Sequence, residues 1–321
     1  MGPPAKREAS SSAHVSVLLG PTIAAIEPRS GGRYLDATLG GGGHTRALLE
    51  ASASDGRVLA LDRDPQAVER ASVDLANFGD RLTLDCANFR ELSGRARDHG
   101  FDRFEGMVFD LGFSSDQLDD PERGLSFQTA GPLDMRLGPD AAESASDLVN
   151  RMEADDLADI IYRFGEERAS RRIARAIVAN RPIHTTTKLA EVVTRAMGGR
   201  SRGRQRDKIH PATRTFQALR IAVNDELAAL DEAIEQAIDL LAPDGRLAFI
   251  SFHSLEDRIV KHAFRTASRD CICPPELPEC RCSHEATLRV ITRKPVRPDE
   301  EEVARNPRAR SARLRIAQRI P

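Results

Sequence analysis

Tryptophan is absent from this chain and aromatic residues make up only 4% of it, so aliphatic side chains must supply most of any core. The 40% hydrophobic and 30% charged composition is otherwise ordinary for a soluble globular protein. No apolar run approaches the roughly 20 residues that a membrane span needs, which argues against a membrane partner. The opening M-G-P-P-A-K-R-E-A-S-S-S-A has no apolar centre and is not read as a signal peptide. Residues 1–13 are expected to be a disordered tail. Cysteine is sparse, with five in all and four of them in one cluster. An odd total without a targeting signal argues for the reducing cytoplasm rather than a disulfide framework.

Net charge is also nearly absent, at -2, but it is unevenly spread. From Arg163 to Arg220 there are 15 Lys/Arg and 4 Asp/Glu, an excess of 11 positive charges, so the remainder carries -13. A basic stretch on an acidic protein suggests a local surface for a polyanion. A solvated helical face is the plainer alternative.

At roughly 150 residues per domain, 321 residues allow about two domains. The first hundred alternate strand and helix signals. Strands are expected over Arg33–Thr38, Arg57–Leu61, Arg81–Leu84 and Gly106–Phe109, with helices at His44–Ser52 and from Pro65. Alternation of this kind predicts a parallel sheet covered on both faces. From Ser126 to Ile209 the pattern becomes helical. The stretch Gly198–Lys208 has no apolar residue and should be an exposed loop. The α/β pattern then resumes, with one long helix expected over Thr213–Leu241, a turn at L-A-P-D-G, a strand over Arg246–Phe252 and a helix over Leu255–Arg265. Two last strands are expected over Leu288–Lys294 and Ala312–Arg319. The simplest architecture is one doubly wound α/β domain, residues 14–125 and 210–321, interrupted by a helical, basic insertion over 126–209.

Strand one runs into D-A-T-L-G-G-G-G-H, Asp36 to His44. Glycines let backbone approach a ligand closely, and a helix that starts there offers free N–H groups. The dinucleotide pattern G-x-G-x-x-G fails, because Thr45 holds its last position. D-x-x-x-G-x-G points instead to an S-adenosylmethionine loop. Asp62 closes strand two, where an acid commonly holds ribose hydroxyls; Asp64 competes with it from within the loop. Asp110 closes strand four. Asp36, Asp62 and Asp110 should converge on one crevice at the switch point of the sheet.

Several longer strings follow in order: H-V-S-V-L-L from His14, L-D-R-D-P, D-L-G-F-S-S-D-Q-L-D-D from Asp110, R-G-L-S-F, G-P-L-D-M-R, Y-R-F-G-E-E-R, H-P-A-T-R-T-F-Q-A-L-R and S-F-H-S-L-E-D-R. With the glycine loop they closely resemble the bacterial small-subunit ribosomal RNA cytosine methyltransferases, the RsmH or MraW family. The resemblance covers nearly everything after the N-terminal tail. It implies a Rossmann-like fold and S-adenosylmethionine-dependent methylation of a cytosine exocyclic amino group in the decoding region of 16S rRNA, free or within the small ribosomal subunit. It also implies a cofactor site: Gly42, Gly43 and His44 at the amino-acid end, Asp62 on the ribose, Phe89 beside the adenine, and Asp110 and Gln117 completing the pocket. Phe89 and Gln117 rest on the resemblance alone.

The reaction needs no metal, since the sulfonium already activates the methyl group. It does need an acceptor for an amino hydrogen. Many amino methyltransferases carry an Asp/Asn/Ser-Pro-Pro-aromatic motif after strand four, but here the run is Asp110-Leu111-Gly112-Phe113. The Asp110 side chain or the Leu111 carbonyl could serve, with Asp134 and His253 as weaker candidates. Arg171, Arg172, Arg175, Arg200, Arg202, Arg204, Arg206 and Lys208 would grip RNA phosphates. The segment Arg305–Arg319 adds six Arg and no acid. Cys271-x-Cys273 and Cys280-x-Cys282, with His284 nearby, could bind zinc, although paired ligands are usually two or more residues apart. Reduced thiols capping a loop are the favoured reading, with a redox role as a third. Cys86 is expected in the core. A DNA amino methyltransferase and a non-catalytic RNA-binding assembly factor are the competing functions.

Overall fold

The computed structural model describes residues 16–198, 210–274, 277 and 279–321. The expected tail at 1–13 and loop arginines Arg200, Arg202, Arg204 and Arg206, with Lys208, lie outside the described residues. Among those described, no helix is long and apolar enough to cross a membrane.

Among the described residues, seven strands form one sheet: β1 (Arg33–Asp36), β2 (Arg57–Asp62), β3 (Leu82–Cys86), β4 (Phe104–Asp110), β5 (Leu241–Ser251), β6 (Leu288–Val290) and β7 (Arg313–Arg319). Their order is β3-β2-β1-β4-β5-β7-β6. β1 to β5 pair in parallel, and β7 runs antiparallel to both of its neighbours. This is the expected doubly wound, Rossmann-like α/β sheet. The order reverses between β1 and β4, and such a switch point opens a crevice at the carboxyl ends of the strands.

The central strands read as continuous apolar runs because both of their faces are covered. Leu35, Leu59, Phe109 and Phe249 face one side, with the helices Leu92–Asp98, Glu226–Leu240 and Ser254–Ala267. Tyr34, Val58, Val108 and Ala248 alternate onto the other, with Leu19–Ile26, Gly43–Ala51 and Pro65–Asp74. Period-two alternation sends successive residues to opposite faces.

A second hydrophobic core lies among helices. Its members include Val149, Ile161, Ile177 and Val193, from the helices Ala145–Arg151, Ala154–Gly165, Ser170–Ala179 and Thr186–Ala196. Leu125 and, from beyond the expected insertion, Phe216 and Leu219 join it. The long helix expected over Thr213–Leu241 is therefore two. It breaks at Asp225, which takes left-handed angles (φ 48°, ψ 41°). The first half, Thr213–Asn224, serves the helical core and the second, Glu226–Leu240, serves the sheet. Buried Asn224 secures the joint: its side chain accepts from Leu137 N and donates to Met135 O, both at 2.8 Å.

Three local expectations are corrected. L-A-P-D-G is not a free turn but the start of β5, with Asp244 left-handed (φ 61°) where the pairing with β4 shifts register. β6 stops at Val290, because the Ile291 and Thr292 N–H groups both donate to Ile316 O. Cys86, expected in the core, is exposed.

Candidate active site

The loop after β1 is built around two strand-end acids. Asp62 Oδ2 accepts from Gly40 N at 2.8 Å and its Oδ1 from Asp64 N at 2.9 Å. Its carboxylate thus shapes the glycine loop while keeping lone pairs for a further donor. Burial pushes its pKa up. Asp36 does not reach the crevice. It is wholly buried beneath the loop, accepting from Thr45 Oγ1 at 2.6 Å and Thr38 N at 3.2 Å. Burial pushes its carboxyl up to about 6.

The crevice at the switch point has a volume of about 930 Å³, open mouth included. Its wall includes Gly40, His44, Asp62, Phe89, Asp110 and Gln117. Five of the seven cofactor-site residues named from sequence, His44, Asp62, Phe89, Asp110 and Gln117, are therefore brought together. The exception is in the glycine run: Gly40 and Gly41 line the space, whereas Gly42 and Gly43 do not. Gly42 caps the following helix with φ 75°, and a Cβ on Gly43 would collide with Ser16 Oγ at 2.1 Å. Phe89 stands edge-on to Phe109, with ring centroids 6.1 Å apart.

Gln117 reaches the wall but its amide is engaged. It accepts from Ser114 N at 2.9 Å and donates to Asp64 Oδ2 at 2.9 Å. Asp64 in turn caps the helix Pro65–Asp74 and pairs with Arg123 at 2.8 Å, so it is a structural hub rather than a ribose ligand. Arg63, which sequence reasoning missed, and Arg308, noted there only as part of the Arg305–Arg319 segment, also line the crevice. Arg63 is held by Asp140 at 2.8 Å, and Arg308 by Asp119 at 2.6 Å. No local spacing links these partners.

Asp110 Oδ2 lies 3.6 Å from His44 Nδ1. Its Oδ1 is buried with no hydrogen-bond partner among the described residues. Burial raises its pKa well above the ordinary value, and the nearby Asp36 and Glu256 carboxylates raise it further.

A second crevice of about 1760 Å³, open mouth included, shares Gly112, Phe113, Ser114, Phe252 and Arg308 with the first. Phe127, Phe216, Arg220, His253 and Glu256 extend its wall. The Arg220 guanidinium sits 4.8 Å from the Phe113 ring centroid and pairs with Glu226 at 2.8 Å. His253 caps the helix Ser254–Ala267, and its Nε2 lies 3.0 Å from Glu256 Oε1. Burial works to raise the Glu256 pKa, but His253 and Arg220 outweigh it and hold the group below its ordinary value. Asp134 is in neither crevice wall and is paired with Arg136 at 2.6 Å.

Away from the crevices, Arg171, Arg172 and Arg175 share a groove of about 1330 Å³ with Arg168, Asp159 and exposed Tyr162. The C-terminal arginines behave differently. Arg313 and Arg315 are committed to Asp257, at 3.0 and 2.6 Å.

The chain is similar to the ribosomal RNA small subunit methyltransferase H of Thermomicrobium roseum, with 54% identity over 97% of this chain and 94% of the relative. It is 48% identical to the protein of that name from Dehalococcoides mccartyi, over 96% of this chain and 86% of the relative. Among solved structures, an rRNA methylase from Streptococcus thermophilus aligns with TM-score 0.40 and 12% identity, over 94% of each chain. A family model described as the MraW methylase family matches residues 11–320, and this chain belongs to that family.

Proposed function

We propose that this chain methylates the exocyclic amino group of a cytosine in the decoding region of small-subunit (16S) ribosomal RNA, with S-adenosylmethionine as donor. The observation that carries the reading is the shared wall of the two crevices. A space lined by the glycine loop, Asp62, Phe89 and Asp110 adjoins, across Gly112, Phe113 and Ser114, an aromatic-lined space. One suits a nucleoside-bearing donor, the other a base.

The residues fit such a donor. Asp62 retains acceptor capacity for ribose hydroxyls, Phe89 offers an apolar flank for adenine, and His44 with Asp110 stands at the other end. When bound, the cofactor supplies an activated methyl group on a sulfonium. The target nucleotide must leave its stack to reach the second crevice, where Phe113, Phe127 and Phe252 supply flat apolar faces. The amino lone pair of cytosine is delocalised into the ring, and a hydrogen-bond acceptor on the amino group localises it. Asp110 Oδ1, buried and otherwise unpaired, is the acceptor we assign. Alignment of amino nitrogen and methyl supplies much of the remaining rate. Arg168, Arg171, Arg172 and Arg175, with Tyr162 as a stacking face, would hold RNA flanking the target.

The test is transfer of labelled methyl to purified small subunits, naked small-subunit rRNA and duplex DNA, followed by nucleoside mass spectrometry. Label in N4-methylated cytidine from either RNA substrate is expected. Transfer to DNA alone, or to none of the three by a chain that binds the cofactor, would overturn the proposal.

A further inference from the structure

The cysteine cluster lies outside both crevices. The Sγ atoms of Cys271, Cys273, Cys280 and Cys282 all lie within 4.8 Å of one another. Cys280 and Cys282 are 3.6 Å apart, and Cys282 and Cys271 3.9 Å. Disulfide sulfurs would be about 2.0 Å apart. Zinc–thiolate bonds of about 2.3 Å in a tetrahedron place sulfurs about 3.8 Å apart, between the 3.6 and 3.9 Å of these two pairs. We propose that these four cysteines bind one zinc ion as a structural cross-link.

The short C-x-C spacing is no obstacle here. The two pairs bring all four sulfurs together across the loop. Backbone N–H groups point at the sulfurs as well. Ile272 N donates to Cys282, Cys273 N to Cys271 and Arg281 N to Cys273, each at 3.4 Å. A neutral thiol is a weak acceptor, whereas hydrogen bonds to a charged group favour its ionised form. Three such donors suit a set of thiolates, whose protons are released when metal binds.

Among its described residues, the loop has little else to hold it. Ile272 and Leu277 are 48% and 45% exposed, and the four cysteines are exposed or half-exposed. Its base is closed: Thr287 N donates to Ala267 O at 2.8 Å, and His284 Nε2 lies 3.0 Å from Thr266 O. That bond engages His284, which is absent from the cluster of converging ligand atoms. Four polar sulfurs brought together with so little apolar burial need a cross-link to offset the ordering of the chain. A tetrahedral set of four sulfurs selects zinc or iron, and the proposal is zinc. Its place, between the helix Ser254–Ala267 and the edge strand β6, would fasten the end of the sheet.

The experiment uses the full chain, reduced, loaded with zinc alone and desalted. Elemental analysis is expected to find about one zinc per chain, with only Cys86 reacting promptly with a thiol reagent until a strong chelator is added. Cobalt loading of the same protein should give the intense visible bands of tetrahedral thiolate coordination, a readout that requires no variant. The double variant Cys280→Ser, Cys282→Ser should lower zinc retention by about tenfold or more. Zinc-free protein with all five thiols promptly reactive would overturn the proposal. So would iron in place of zinc in the chain as purified, or an intact mass of that unreduced sample lowered by the hydrogens of two disulfides.

Discussion

His44 Nδ1 stands 3.6 Å from Asp110 Oδ2, while Asp110 Oδ1 has no hydrogen-bond partner among the described residues. One oxygen is thus positioned by the glycine-loop helix and the other is left for a substrate. Replacing Asp110 with Asn should lower single-turnover methylation by about 100-fold and change RNA affinity little. The parent rate should rise with pH as the carboxyl ionises through its raised pKa, and the variant should lack that rise. Equal rates and matching pH profiles would exclude the carboxylate as the acceptor.

Asp62 both shapes the loop and faces the crevice. Alanine would remove both backbone contacts, whereas Asp62→Asn keeps one acceptor while removing the charge, so it is the better probe. Cofactor affinity should fall by about 1.5–3 kcal/mol, the worth of a charged hydrogen bond. Calorimetry on a variant with native circular dichroism measures it. Unchanged affinity removes Asp62 from the ribose site.

Asp36 gives a pH dependence of stability. Its carboxyl is raised from 3.8 to about 6 in the fold, so its favourable contribution is complete below about pH 4 and is lost as pH rises through about 6. That difference corresponds to about 3 kcal/mol. Asp36→Asn cannot titrate, so it should gain on the parent by up to that amount between pH 4 and 7. Denaturant melts at several pH values report the difference, and parallel stability curves would show that Asp36 does not titrate in this range.

Asn224 joins the two cores through buried hydrogen bonds to Leu137 and Met135. Asn224→Ala leaves a buried N–H and a buried carbonyl without these partners, and should cost about 2–4 kcal/mol of unfolding free energy. A loss under about 0.5 kcal/mol, typical of a surface site, would mean that water replaces the amide.

For the groove at Arg171, Arg172 and Arg175, the triple Ala variant should weaken RNA binding and leave cofactor affinity unchanged. Each lost phosphate contact should flatten the log–log salt dependence by about 0.7–0.9. Equal affinity and parallel salt lines would move the RNA surface elsewhere, with Arg200, Arg202, Arg204 and Arg206 the next variants to compare.

Much of the site was legible because its signals are local. Four glycines between a strand and a helix, with acids closing the second and fourth strands, state a ligand crevice in a few residues each. The gaps have one cause. Gly40 and Gly42 are indistinguishable by type, and only the fold shows that a Cβ on Gly42 would meet Leu75 and one on Gly43 would meet Ser16, while Gly40 and Gly41 line the crevice. Asp134 and Asp110 are both acids in recognisable strings, yet one is neutralised by Arg136 and the other is left facing the crevice.

By itself, then, the sequence determined the alternation of strands and helices, the glycine loop, the strand-end acids and the basic helical stretch. These follow from side-chain periodicity and turn chemistry within short windows. Tertiary structure alone decided that the chain breaks at Asp225 to serve two cores, that Asp36 is sealed under the loop, and that Cys86 is exposed. It also decided which residues meet across long separations: Arg63 with Asp140, Gln117 with Asp64, and the sulfurs of two C-x-C pairs. Such partnerships depend on how packed elements are oriented in space, and the residues near each member in sequence carry no record of that orientation.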